Sequence, residues 1–144
     1  MKSLRPIFVA TVGAIFLALT CTACSGSFEI RPEGRFDNLT FSFYKLGEKQ
    51  ASAFSITRLL LQEEEAKDQW KNIWLIVGKH RLDRLTFGSA PSGLKVDTAA
   101  HPLSPKARYR VFAENRSEFG PDGTAGAIFR FGTNGEVIVE DPPR

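Results

Sequence analysis

The clearest periodicity in the chain runs through Leu39-Thr40-Phe41-Ser42-Phe43, where apolar and polar residues alternate at a period of two. That period sets the three apolar side chains on one face of a half-buried strand. Shorter stretches follow the same rule: Leu85-Thr86-Phe87, Leu94 to Thr98, Tyr109 to Ala113 and Ala125 to Phe131. Phe28 to Arg31 reads as a first edge strand, closed by turn chemistry at Pro32-Glu33-Gly34. Ala125 to Phe131 is expected to pair with Glu136 to Glu140 across Thr133-Asn134-Gly135, because Asn-Gly accepts the positive φ values a tight hairpin demands. Pro142 and Pro143 stop the last strand.

The stretch between residues 53 and 70 supports two readings. Leu59 to Ala66 consists of good helix formers, and Ser55 offers a cap. A helix over 56–70 would set Glu63 and Lys67 among Ile56, Leu59, Leu60 and Trp70 on its apolar face, which costs more than helix propensity returns. The pattern therefore predicts a strand from Phe54 to Glu63, a charged loop from Glu64 to Lys71 and a strand from Asn72 to Gly78. His80 to Arg84 reads as a charged turn and Gly88 to Gly93 as a loop. Eight or nine short strands at roughly ten-residue spacing predict an all-β domain over residues 28–141, an antiparallel sandwich or barrel.

One stretch sharpens that choice. Leu103-Ser-Pro105-Lys-Ala-Arg-Tyr109-Arg-Val111 resembles the L-x-P-x-x-x-Y-x-V segment of fibronectin type III and related immunoglobulin-like domains. The resemblance implies an immunoglobulin-like sandwich with a structural corner formed by Leu103, Pro105 and Tyr109. In it the Tyr109 hydroxyl bonds backbone upstream, Leu103 packs inward and Val111 opens the core of the next strand. The fibronectin pattern also expects Trp-x-x-Pro early in the domain, whereas Trp74 is followed by Leu75, Ile76 and Val77.

The longest apolar run stands at the start of the chain. Lys2 and Arg5 precede thirteen uncharged residues from Ile7 to Leu19. A permanent membrane helix needs roughly 20 apolar residues, so this length suits the helical core of a cleaved export signal. Thr22 and Ala23 then place small side chains before Cys24. The segment resembles a bacterial lipoprotein signal, with Cys21 standing where leucine is usual. The resemblance implies a signal peptide over 1–23, acylation of Cys24 by a diacylglyceryl thioether, and a lipidated tether over 24–27. Ser25, rather than Asp, resembles the class sorted to the outer membrane of Gram-negative bacteria, with the domain facing the periplasm. Read as a redox pair, Cys21 and Cys24 lack a βαβ context, and Cys21 would leave with the signal.

Cleavage before Cys24 leaves 121 of 144 residues, one ordinary domain. The formal charge of +3 falls as Lys2 and Arg5 depart, leaving 17 basic against 16 acidic residues. So even a balance offers no footprint for nucleic acid. Of twelve Phe, the ten beyond the signal, with two Trp and two Tyr, supply apolar area to a domain expected to hold together without a disulfide.

Candidate chemistry is sparse. His80 and His101 have no partner at metal-ligand spacing, and no motif for nucleophilic catalysis occurs, so both histidines read as surface residues and no cofactor is implied. Glu63, Glu64 and Glu65 are consecutive and would point different ways, which fits a solvated acidic segment better than a glycosidase pair. Lys79, His80, Arg81 and Arg84 form a small basic cluster around Asp83, suited to anionic headgroups, to an acidic partner, or to an ordinary polar turn. Trp70 and Trp74 offer either an exposed platform for a sugar ring or core packing. Asp122 lies in the segment Phe119 to Gly126, a connection that immunoglobulin-like domains use for recognition. The expected function is non-enzymatic: an envelope lipoprotein that binds an unidentified envelope protein or serves as a structural accessory. The alternative is a glycan or small-ligand binder using exposed aromatics.

Overall fold

The computed structural model describes residues 28–117 and 122–140. The expected signal, Cys24 with its tether, and the terminal prolines lie outside the described residues. The described chain is all-β, with nine strands: β1 (Phe28–Arg35), β2 (Asn38–Lys45), β3 (Phe54–Ala66), β4 (Gln69–Leu82), β5 (Arg84–Thr86), β6 (Leu94–Thr98), β7 (Arg108–Asn115), β8 (Gly123–Phe131) and β9 (Val137–Glu140). They form two antiparallel sheets, a small one ordered β1-β2-β5 and a large one ordered β6-β4-β3-β7-β8-β9.

Three expectations are corrected. Pro32, expected in a turn, lies within β1 opposite Phe41, and the chain reverses at Phe36-Asp37. A proline is tolerated there because β1 stands at the edge of its sheet. Gly34 adopts φ 93°, and a side chain at that position would run into the Asn38 carbonyl.

The charged loop expected from Glu64 to Lys71 shrinks to Lys67-Asp68, so β3 and β4 make one long hairpin and no helix forms over 56–70. Asp68 takes φ 60°, a conformation aspartate tolerates better than most residues. The charges remain strand-compatible because cross-strand partners meet them: Glu64 lies 3.2 Å from Arg108 and Glu65 lies 3.8 Å from Lys71. Likewise His80 to Leu82, expected in a turn, continue β4 and pair with Phe54 to Ile56.

The register of β3 against β4 shifts between Leu61 and Gln62, which pair with Trp74 and Asn72 and leave Ile73 as an extra residue. Such a bulge turns two successive side chains toward the same face. Ile73 and Trp74 are accordingly both buried in the core between the sheets.

That core is a chain of rings. Trp74 stacks on Phe41 at 6.3 Å between centroids and meets Phe87 edge-on at 5.2 Å. Phe41 meets Phe129, which stacks on Tyr109, and Phe131 closes the series against Phe36. At one side of the domain the sheets are tied together. The backbones of Arg35 and Glu136 form an isolated antiparallel β-bridge, and the Phe36 N–H donates to the Gly135 carbonyl at 2.7 Å. Gly135 has φ 79° in this β8-β9 turn, whereas Asn134 does not adopt positive φ.

Candidate binding surface

The outer face of the large sheet collects residues from four strands. Leu60 on β3 pairs with Leu75 on β4 and with Phe112 on β7, and Phe112 pairs with Gly126 on β8. The next row holds Asn72, Gln62, Arg110 and Ile128. Alternation along each strand sends the sequence neighbours of these residues, Leu61, Val111 and Phe129 among them, into the core.

Within this face the guanidinium of Arg110 lies 4.5 Å from the Trp70 ring centre and 5.2 Å from that of Phe112. Its Nε donates to Gln62 Oε1 at 2.6 Å, and Gln62 Nε2 donates to Asn72 Oδ1 at 2.6 Å. Arg108 also lies over Trp70, 5.7 Å from its centre. It also donates through Nε and a terminal nitrogen to Glu140, at 3.0 and 2.8 Å, and reaches Glu64 at 3.2 Å. These carboxylates raise the Arg108 pKa above its ordinary value, so the group is a permanent cation. The result is an alternating stack of arginine and aromatic planes anchored on β strands.

Phe112 is the exposed end of that stack. It is 43% exposed and lies over Gly126, where an added Cβ would come within 3.1 Å of its ring. Beside it is a shallow hollow of about 270 Å³, bordered by Leu60, Thr124 and the Arg58 to Glu114 ion pair. A rigid aromatic next to a preordered arginine is the side-chain combination from which binding hot spots are built. Neither residue was singled out in the sequence. The signal available there was a phenylalanine on the polar phase of the alternating stretch Tyr109 to Ala113.

The candidates named from the sequence are scattered. Trp74 is fully buried and supplies no surface platform; its Nε1 has no hydrogen-bond partner among the described residues. Trp70 is on the outer face, and two arginines lie over the ring a sugar would need. Asp122 is exposed and lies 3.9 Å from Arg116, at the far end of β7 and β8 from Trp70. His80 is half-buried on β4 and His101 is exposed; the His101 N–H donates to the Ile73 carbonyl at 2.9 Å. Among the described residues no three His, Cys, Asp or Glu side chains gather as a metal site.

At the corner, the Tyr109 hydroxyl donates to the Ser104 carbonyl at 3.1 Å and accepts from the Ser104 N–H at 2.6 Å. Leu103 packs against the core, Val111 is fully buried and Pro105 is exposed in the preceding turn. Burial pushes the Tyr109 phenol up to about 12, against a smaller lowering by the Ser104 bond. No protein-family model, curated protein or solved structure matches this chain.

Proposed function

We propose that the chain is a lipoprotein acylated at Cys24 and held on the outer membrane facing the periplasm, with an immunoglobulin-like sandwich that works by non-covalent binding. It acts as a binding or structural accessory module toward an envelope protein, and the partner docks on the outer face of the large sheet. The observation that carries the binding role is Phe112, exposed beside a stacked Arg110 and Trp70 on a rigid sheet. The signal-like residues before Cys24 support the anchor, and the bond from Tyr109 to Ser104 supports the immunoglobulin-like corner.

Two or three acyl chains bury enough methylene groups, at about 0.8 kcal/mol each, to keep a protein on a membrane. A Cys24→Ser variant should therefore appear in the soluble fraction, while the parent sediments with membranes and shows added lipid by mass spectrometry. For the binding role, a photo-crosslinker is placed at position 112 and, as a control, at exposed Val96 on β6. One stoichiometric adduct from position 112, lost when Arg110 is changed to Glu, supports the docking face. Equal labelling from both positions overturns it.

A further inference from the structure

Separate stretches of chain converge at one end of the domain. Phe28, the first residue of β1, pairs with Lys45, the last of β2, so Leu46 and the loop after it stand beside the point where the described chain begins. Leu46 is 56% exposed, and Lys45 and Lys49 on either side of it are exposed as well. The loop is pinned: Glu48 N–H donates to the Lys45 carbonyl at 3.0 Å, and Ser52 N–H donates to the Phe43 carbonyl at 2.9 Å. Arg81 comes to the same end, because it pairs with Ser55 at the start of β3. The apolar surface continues from Leu46 along a groove of about 630 Å³ between β1 and β8-β9, to exposed Val139. Glu29, Glu48 and Asp83 are acidic neighbours of this end; Glu29 is paired with Arg31 at 2.7 Å, so against Lys45, Lys49 and Arg81 the balance stays basic.

We propose that this end is a membrane-contacting surface, with Leu46 entering the bilayer interface while Lys45, Lys49 and Arg81 meet anionic lipid headgroups. The inference rests on the anchoring of Cys24 proposed above. With that anchor, only Ser25, Gly26 and Ser27 separate the lipid from Phe28, and a step of that length spans at most about 14 Å. The Leu46 loop is therefore kept near the bilayer, while the turns at Asp37 and Thr133 stand at the opposite end of β1 and β9. An apolar side chain flanked by lysines suits the boundary, since their stems lie along apolar surface and their charges reach the phosphates.

The full chain, signal included, is expressed so that it is processed and acylated. Cys21 leaves with the signal and the Cys24 sulfur is taken by lipid, so an introduced cysteine is the single free thiol. Leu46→Cys and Thr133→Cys proteins carrying an environment-sensitive fluorophore are reconstituted in phosphatidylcholine vesicles with or without phosphatidylglycerol. A label at 46 should shift to the blue and be quenched by lipid-borne quenchers, more strongly with phosphatidylglycerol and less at high salt; a label at 133 should stay in water. Removing each charge, as Lys45→Gln, Lys49→Gln or Arg81→Gln, should lower the buried-to-exposed ratio at 46 about fivefold in phosphatidylglycerol vesicles. Mass spectrometry of the same samples separates the two claims. Acylated protein whose label at 46 is as wet as that at 133 overturns the contact alone, and protein without acyl chains overturns the anchor and the contact together.

Discussion

The two sheets finish their outer faces differently, although each lays an arginine on an aromatic ring. On the small sheet Arg31 lies 3.9 Å from the centre of the Tyr44 ring. There the Tyr44 hydroxyl donates to Glu33 at 2.7 Å, Ser42 donates to the other oxygen of Glu33 at 3.0 Å, and Arg84 donates to Ser42 at 3.3 Å. Ser42 and Tyr44 are buried although they alternate with core residues, because this polar set covers itself. On the large sheet Arg110 joins Trp70 to Phe112, and Phe112 has no polar atom to satisfy and stays exposed. A face closed by its own hydrogen bonds contributes to folding. A face ending in a bare ring leaves apolar area in water, the area that the proposed docking would cover.

The scale for testing that contrast comes from the core between the faces. Trp74→Ala should lose about 3–5 kcal/mol of unfolding free energy in urea titrations, as large aromatic truncations do. Trp74→Phe should cost clearly less, since it also removes the N–H that has no acceptor. If a substitution on either outer face equals the Trp74→Ala loss, that face is core and the comparison fails.

Next in size is an alkaline effect at Tyr109. Its folded pKa, pushed up to about 12 by burial, exceeds the ordinary value of 10, so the unfolded chain loses its proton first. The contribution is whole below pH 10 and fades as pH rises toward 12, a loss of about 3 kcal/mol by linkage. Unfolding measured across that window should be steeper for the parent than for Tyr109→Phe. The Tyr44 pKa is also raised, chiefly by its bond to Glu33, so the small-sheet face weakens in the same direction.

Smaller effects separate the faces directly. Glu33→Ala strips Tyr44 and Ser42 of their acceptor and should cost about 1–3 kcal/mol. Phe112→Ala should cost under about 1 kcal/mol in stability, because the ring is partly in water. Equal stability losses for these two substitutions would remove the distinction between a closed face and an open one.

Local pattern carried much of this architecture. Alternation at Leu39 to Phe43 predicted a strand whose Leu39, Phe41 and Phe43 are all buried, and the strand signals at Leu94, Tyr109 and Ala125 fall on β6, β7 and β8. The stretches that misled are charged or contain proline. Glu64 to Lys71 looked like loop because a single chain shows carboxylates without the Arg108 and Lys71 that meet them across the sheet. Pro32 looked like a turn because the sequence does not say that β1 is an edge.

Periods of two, turn residues and the spacing from Ser104 to Tyr109 are short-range properties, and the amino-acid order determined them by itself. Only the packed sheets decided that Trp74 goes inside while Trp70 stays out under two arginines, and that Phe112 ends a stack begun 42 positions earlier at Trp70. The physical reason is register: one bulge at Ile73 turns the following side chains, and cross-strand neighbours are set by pairing rather than by distance along the chain.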